Sequence, residues 1–137
     1  MINFHQAMEK FNLCWDQFSQ NAITSIKSLK LDQDFTDVTL ACEENKYFKA
    51  HKVILSSCSD FFKSILIQNP HQHPLIYLNG INFLDLQAIL NFIYLGQTEV
   101  EQKDLDCFMK AAKTLKIKGL SRTEFPNDQQ PALNETK

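Results

Sequence analysis

The chain has 137 residues, a formal net charge of −2 and a hydrophobic fraction of 44%. That is too apolar and too weakly charged for a disordered chain, and the length fits one domain built on one core. Of the fourteen lysine and arginine residues only Arg122 is arginine, so the bidentate reading of bases and phosphates that marks a dedicated nucleic-acid binder has almost nothing to work with.

After a short polar lead, Trp15, Phe18, Ala22, Ile23, Ile26 and Leu29 recur at steps of three and four, the apolar stripe of a helix of about four turns. Asp32 and Asp34 interrupt it. In residues 35–42 the side chains of Val38, Leu40 and Cys42 form the apolar face of a half-buried strand. The polar turn Glu43-Glu44-Asn45 leads into a second strand, which makes residues 36–50 a β-hairpin. From Ala50 the pattern is helical again, with a short apolar helix ending near Ser57. Ser59 caps the next helix, and Asp60 favours the dipole of its first turn. Pro70 and Pro74 bracket a connection to the apolar run 75–78, read as a buried strand. Asn82 with Asp85 resembles a capping box for a helix that Gly96 ends. A brief extended piece follows, then a last helix from about Gln102 to Leu115 with Leu105, Phe108, Met109 and Ala112 facing a core. Gly119 closes the domain. The element order predicts an α+β fold, a small sheet covered by helices. Residues 1–10 form the lead and 11–120 the domain. Residues 121–137, polar and holding two of the four prolines, form a disordered tail.

Sites for chemistry are few. His51, Ser56 and Asp37 make a hydrolytic triad on paper, but no nucleophile elbow surrounds Ser56. His71, His73 and Cys58 supply only one arm of a zinc site. Asp104 and Asp106 near Glu99 and Glu101 suit a solvated helix start better than an acid–base pair. The three glycines, Gly80, Gly96 and Gly119, are too scattered for a phosphate-cradling loop. The four cysteines, Cys14, Cys42, Cys58 and Cys107, contain no CxxC pair and read as reduced, mostly buried thiols of an intracellular protein. The N-terminus lacks the basic-then-apolar order of a signal peptide, and no run approaches the ~18 apolar residues of a membrane span. The sequence therefore predicts no enzyme, no metal and no cofactor.

The first helix stands out. Directly ahead of it, Phe11-Asn12-Leu13-Cys14-Trp15 alternates apolar with smaller or polar side chains, a strand signature at a chain end. Such a strand either closes its own sheet or adds to the exposed edge of a neighbour.

Five blocks in order, FTDVTLAC, FKAHKVILSSCSDFF, HPLIYL, LQAILNFIYLGQTEV and AAKTLKIKGL, resemble a BTB (POZ) domain over residues 11–120. The opening FNLCWD resembles the F-x-L-R-W-N element of the tramtrack group of arthropod BTB domains, with Cys14 and Asp16 standing where Arg and Asn are usual. Ser59-Asp60-Phe61-Phe62 stands where Ser-Pro-Tyr-Phe is more common. The resemblance implies an obligate homodimer, with the N-terminal strand exchanged and the first helix packed on its two-fold mate. Phe11, Leu13, Trp15, Phe18, Ala22, Ile23 and Ile26 then form the dimer interface. It also implies association beyond the dimer and mixing with related BTB chains. Asp37 and Lys52 match the acid and base of the charged pocket of such domains. The implied function is that of an interaction module of a nuclear transcription or chromatin regulator that recruits co-regulators, with no direct nucleic-acid or membrane contact by this domain. The alternative is a substrate adaptor of a cullin-3 ubiquitin ligase. Against it, no acidic residue lies between Asp60 and Asp85, where adaptors present an apolar-x-Glu element. The chain fits either a piece of a longer regulator or a BTB-only protein.

Overall fold

A computed structural model describes residues 9–120, and its centre is strand β1 (Val38–Cys42), buried along its whole length. On one side β1 pairs antiparallel with β2 (Lys46–Ala50). The tight turn Glu43–Asn45 makes this possible by placing Glu44 and Asn45 in the left-handed region. On the other side β1 pairs in parallel with β3 (Leu75–Tyr77), giving the order β2-β1-β3. Parallel pairing needs a long crossover, supplied here by helices α2 (Lys52–Cys58) and α3 (Asp60–Gln68).

Helices α4 (Phe83–Leu95) and α5 (Leu105–Thr114) complete the core, in which Leu40, Leu55, Phe62, Leu86, Ile89 and Leu115 are wholly buried. The caps are where the sequence places them. Ser59 Oγ accepts from the backbone N–H of Phe62, and Asn82 Oδ1 accepts from that of Asp85 at 2.8 Å. Gly96 ends α4 at φ 81°, a conformation that costs glycine nothing. Ser59 also donates to the carbonyl of Leu115 at 2.5 Å. With the Lys118 N–H bonded to the Cys58 carbonyl, this ties the start of α3 to the chain beyond α5.

Several expectations change. The run 75–78 is not a buried strand: β3 lies at the sheet edge, with Leu75 60% and Tyr77 56% exposed. The box at Asn82 is one-sided, because the Asp85 carboxylate accepts from Cys107 Sγ instead of reaching back. The last helix begins later than Gln102, after a 3-10 turn over Gln102–Asp104. Residues 1–8 of the expected 1–10 lead and the tail (121–137) lie outside the described residues.

Helix α1 (Phe18–Asp32) packs on α4 yet has no buried residue, and Leu29 is its one side chain packed on the core. It ends at Gln33 in the left-handed region, and two residues later Phe35 repeats that conformation at φ 64°.

Candidate functional site

Among the described residues, many of the exposed large apolar side chains lie on α1 and the segments that flank it. Residues 9–15 form neither helix nor strand, so Phe11, Leu13 and Trp15 do not join the chain's own sheet. Leu13 is 90% exposed and Trp15 60%. Trp15 stacks edge-to-face on Phe18 with ring centroids 5.4 Å apart, and the stripe continues along α1 through half-buried Ala22 and exposed Ile23 and Ile26 to Leu29, which packs on the core. Phe35 adds a further exposed ring just beyond α1.

Beside α4 runs a groove of about 700 Å³, lined among others by Leu84, Ala88, Asn91, Leu95 and Val100. One wall is the segment 97–101 between α4 and α5, which has no secondary structure. No backbone hydrogen bond engages residues 97–100 among the described residues. Glu99 and Glu101 make this wall acidic, with Asp85 and Asp104 elsewhere in the lining, and the sole ion pair among the described residues, Glu101–Lys103, is exposed.

Asp37 and Lys52 do meet, but not as an ion pair. The Asp37 carboxylate accepts from the backbone N–H of Lys52 at 2.7 Å, while the Lys52 ammonium donates to the carbonyl of His71. Asp37 thus caps α2, whose own N-cap residue His51 makes no side-chain cap, and places a negative charge at the helix N-terminus where the dipole favours it. Lys52 ties down the loop that leads to β3.

The other candidate groupings do not assemble. His51 is buried and faces the Tyr94 hydroxyl at 2.6 Å and the carbonyl of Asp34 at 2.6 Å, not Ser56. His73 bonds Thr39 Oγ1 at 2.9 Å. No group of three or more metal-ligating side chains occurs among the described residues. All four cysteines are free, and only Cys42 is buried; Cys14 and Cys107 are exposed. Burial pushes the thiols of Cys42 and Cys58 up from their ordinary value. The thiol of Cys107 is raised chiefly by its hydrogen bond to Asp85.

The His51–Tyr94 contact, spanning α2 and α4, had no signal in the sequence. The groove beside α4 had only a faint one, the short piece after Gly96.

Comparison with known proteins places these surfaces in context. A family model described as BTB/POZ domain matches residues 26–124. The chain is 47% identical over 115 residues to the longitudinals lacking protein-like of Drosophila melanogaster, covering 84% of this chain and 90% of that protein. It is 36% identical over 126 residues to the alpha isoform of protein tramtrack of the same organism, covering 92% of this chain but only 15% of that protein. Among solved structures it is similar to the BTB domain of zebrafish PATZ1, with a TM-score of 0.71 at 23% identity over 92% of this chain and 99% of that one.

Proposed function

The chain belongs to the BTB/POZ domain family, within the tramtrack group, and is a protein-interaction module; from that premise we propose that it acts as a homodimer that joins nuclear transcription or chromatin regulators to one another and to co-regulators. The observation that carries this reading is α1. Its stripe of Trp15, Phe18, Ile23 and Ile26, with Phe11 and Leu13 ahead of it, lies largely in water in the single chain. Fully burying a large apolar side chain is worth roughly 1.5–3 kcal/mol, so half-exposed groups of this number forgo on the order of 5–10 kcal/mol. That is comparable with the whole stability of a typical domain, about 5–15 kcal/mol. A two-fold mate recovers it, because one stripe then serves both chains.

In this arrangement α1 packs on its symmetry mate, and the segment 11–15 crosses to the partner. There it runs along the groove beside α4 and pairs with the open backbone of residues 97–100, filling the groove with Phe11, Leu13 and Trp15. The charge balance and the near absence of arginine agree with a domain that leaves DNA contact to other proteins. The adaptor reading gains nothing from α3 and the loop after it, which carry no acid between Asp60 and Asp85.

Sedimentation velocity of the full chain across a concentration series tests the proposal. A dimer that persists at low micromolar concentration is the expected result, and a monomer there refutes it. Saturable capture of cullin-3 would reverse the ranking of the two functions.

A further inference from the structure

The wall of the groove beside α4 carries a hydroxyl that the fold leaves free. Thr98 lines the groove and is half-buried, as is Val100, whereas Gln97, Glu99 and Glu101 are exposed. This alternation is that of an extended chain. The Thr98 hydroxyl has no hydrogen-bond partner among the described residues. No buried side-chain oxygen among them lacks a partner, so Thr98 Oγ1 lies within reach of water.

A protein kinase takes the residues around its acceptor as an extended peptide and selects them by charge. Of the serines and threonines among the described residues, Thr98 alone is followed by three residues without secondary structure. Those residues are Glu99, Val100 and Glu101, with acids at the first and third positions, the pattern that acidophilic serine/threonine kinases read. The third-position spacing recurs at Ser57 with Asp60. There the acceptor lies within α2, and its hydroxyl donates to the carbonyl of Val53 at 2.7 Å. The fold closes that motif and leaves the one at Thr98 open.

We propose that Thr98 is a phosphorylation site for an acidophilic kinase, and that the phosphate keeps a partner's segment 11–15 out of the groove. The second half of this rests on the homodimer reading above. In the transfer, Thr98 Oγ1 attacks the γ-phosphorus of ATP and the bond from that phosphorus to the β–γ bridging oxygen breaks. ADP leaves with the electron pair, and the hydroxyl proton passes to the base of the kinase.

The surroundings decide the sign of the effect. A phosphate brings a charge of about −1.5 to −2 at neutral pH. Asp85, Glu99, Glu101 and Asp104 line the groove, and no lysine or arginine does. Lys103, the nearest cation in the sequence, is already paired with Glu101. The added charge therefore meets no cation that would hold it in place. The incoming segment gives no relief, because residues 9–16 carry Glu9 and Asp16 against Lys10. Repulsion and the loss of water around the phosphate both oppose insertion. Pairing in turn covers Thr98, so kinase and partner compete for one stretch of chain, and each weakens access for the other.

Labelling with an acidophilic kinase and ATP, read by peptide mass spectrometry, tests the acceptor. The full chain carries Ser121→Ala for this purpose, because Ser121 precedes Glu124 at the same spacing. Phosphate is expected at Thr98 and not at Ser57. The rate at Thr98 should rise severalfold when Ile23→Asp opens the proposed pair. Sedimentation tests the consequence. The chain labelled to completion should dimerise at least about tenfold more weakly than the unlabelled one. Thr98→Glu should weaken pairing in the same direction, and Thr98→Gln, of equal size without the charge, should pair like the parent. No phosphate at Thr98 in either chain, equal rates with and without Ile23→Asp, a labelled chain that pairs like the unlabelled one, or a Thr98→Gln variant as weak as Thr98→Glu overturns the proposal and leaves the dimer standing. A parent that stays monomeric refutes the homodimer, and the effect on pairing with it.

Discussion

Both ring nitrogens of His51 are committed. Nε2 faces the carbonyl of Asp34, which can only accept, so it carries the proton. Nδ1 then accepts from the Tyr94 hydroxyl, and the same hydroxyl oxygen accepts the backbone N–H of His51 at 3.0 Å. One ring thereby joins the α1–β1 connection, the start of α2 and the last turn of α4. Burial pushes the Tyr94 phenol up to about 12 from its ordinary 10. Between those values the unfolded chain gives up this proton and the folded chain keeps it, so stability falls as pH rises through that window. Thermal melts in steps from pH 9 to 12 should show a shallower alkaline decline for Tyr94→Phe than for the parent. Asp37 allows a second test at this scale. Asp37→Ala removes a charged cap and should cost about 1–2 kcal/mol in urea unfolding, and Asp37→Asn less. A double-mutant cycle with Lys52→Met should show coupling below about 0.5 kcal/mol, because the Lys52 ammonium is spent on His71. A strong coupling would restore the acid–base pair that the resemblance implies.

At the scale of elements, α1 carries an apolar stripe that its own chain, apart from the contact at Leu29, leaves largely uncovered. Ile23→Asp or Ile26→Asp places a charge at the centre of the proposed two-fold face and leaves the contact of Leu29 with the core intact. Each should weaken dimerisation at least about thirtyfold, read by sedimentation. The elements themselves were mostly legible in the sequence. The helix period, the caps at Ser59 and Asn82 and the stop at Gly96 are local signals, and local signals survive folding. Two things were not. The residues Leu75 to Leu78 are nearly all apolar, and a short apolar run looks the same at the centre of a sheet and at its edge. Only the strand order, settled by pairings more than thirty residues apart, separates the cases. Likewise the α1 stripe marks an apolar face without showing which chain would cover it. The acid and base at 37 and 52 were visible, but the backbone N–H that takes the acid has no letter in the sequence.

For the whole molecule, the folded unit is proposed to be two chains, and this makes stability a function of concentration. A dimer that unfolds to separate chains melts at a higher temperature as its concentration rises. Calorimetry over a hundredfold range should show that rise. A melting temperature that does not move would mean the single chain is self-sufficient despite the apolar surface it leaves in water. The groove beside α4 belongs to the same scale, because the proposed segment that fills it comes from the other chain.

The end of the domain is fixed as firmly as its middle. Ile117 and Leu120 are buried, and the chain is tied to Ser59 and Cys58 just before it leaves the core. Leu120 is therefore held at a set point of the fold, and the proposed two-fold pair carries two such points at a constant separation. In that pair the two ends of the described chain share a local concentration that the fold dictates and the surrounding solution does not.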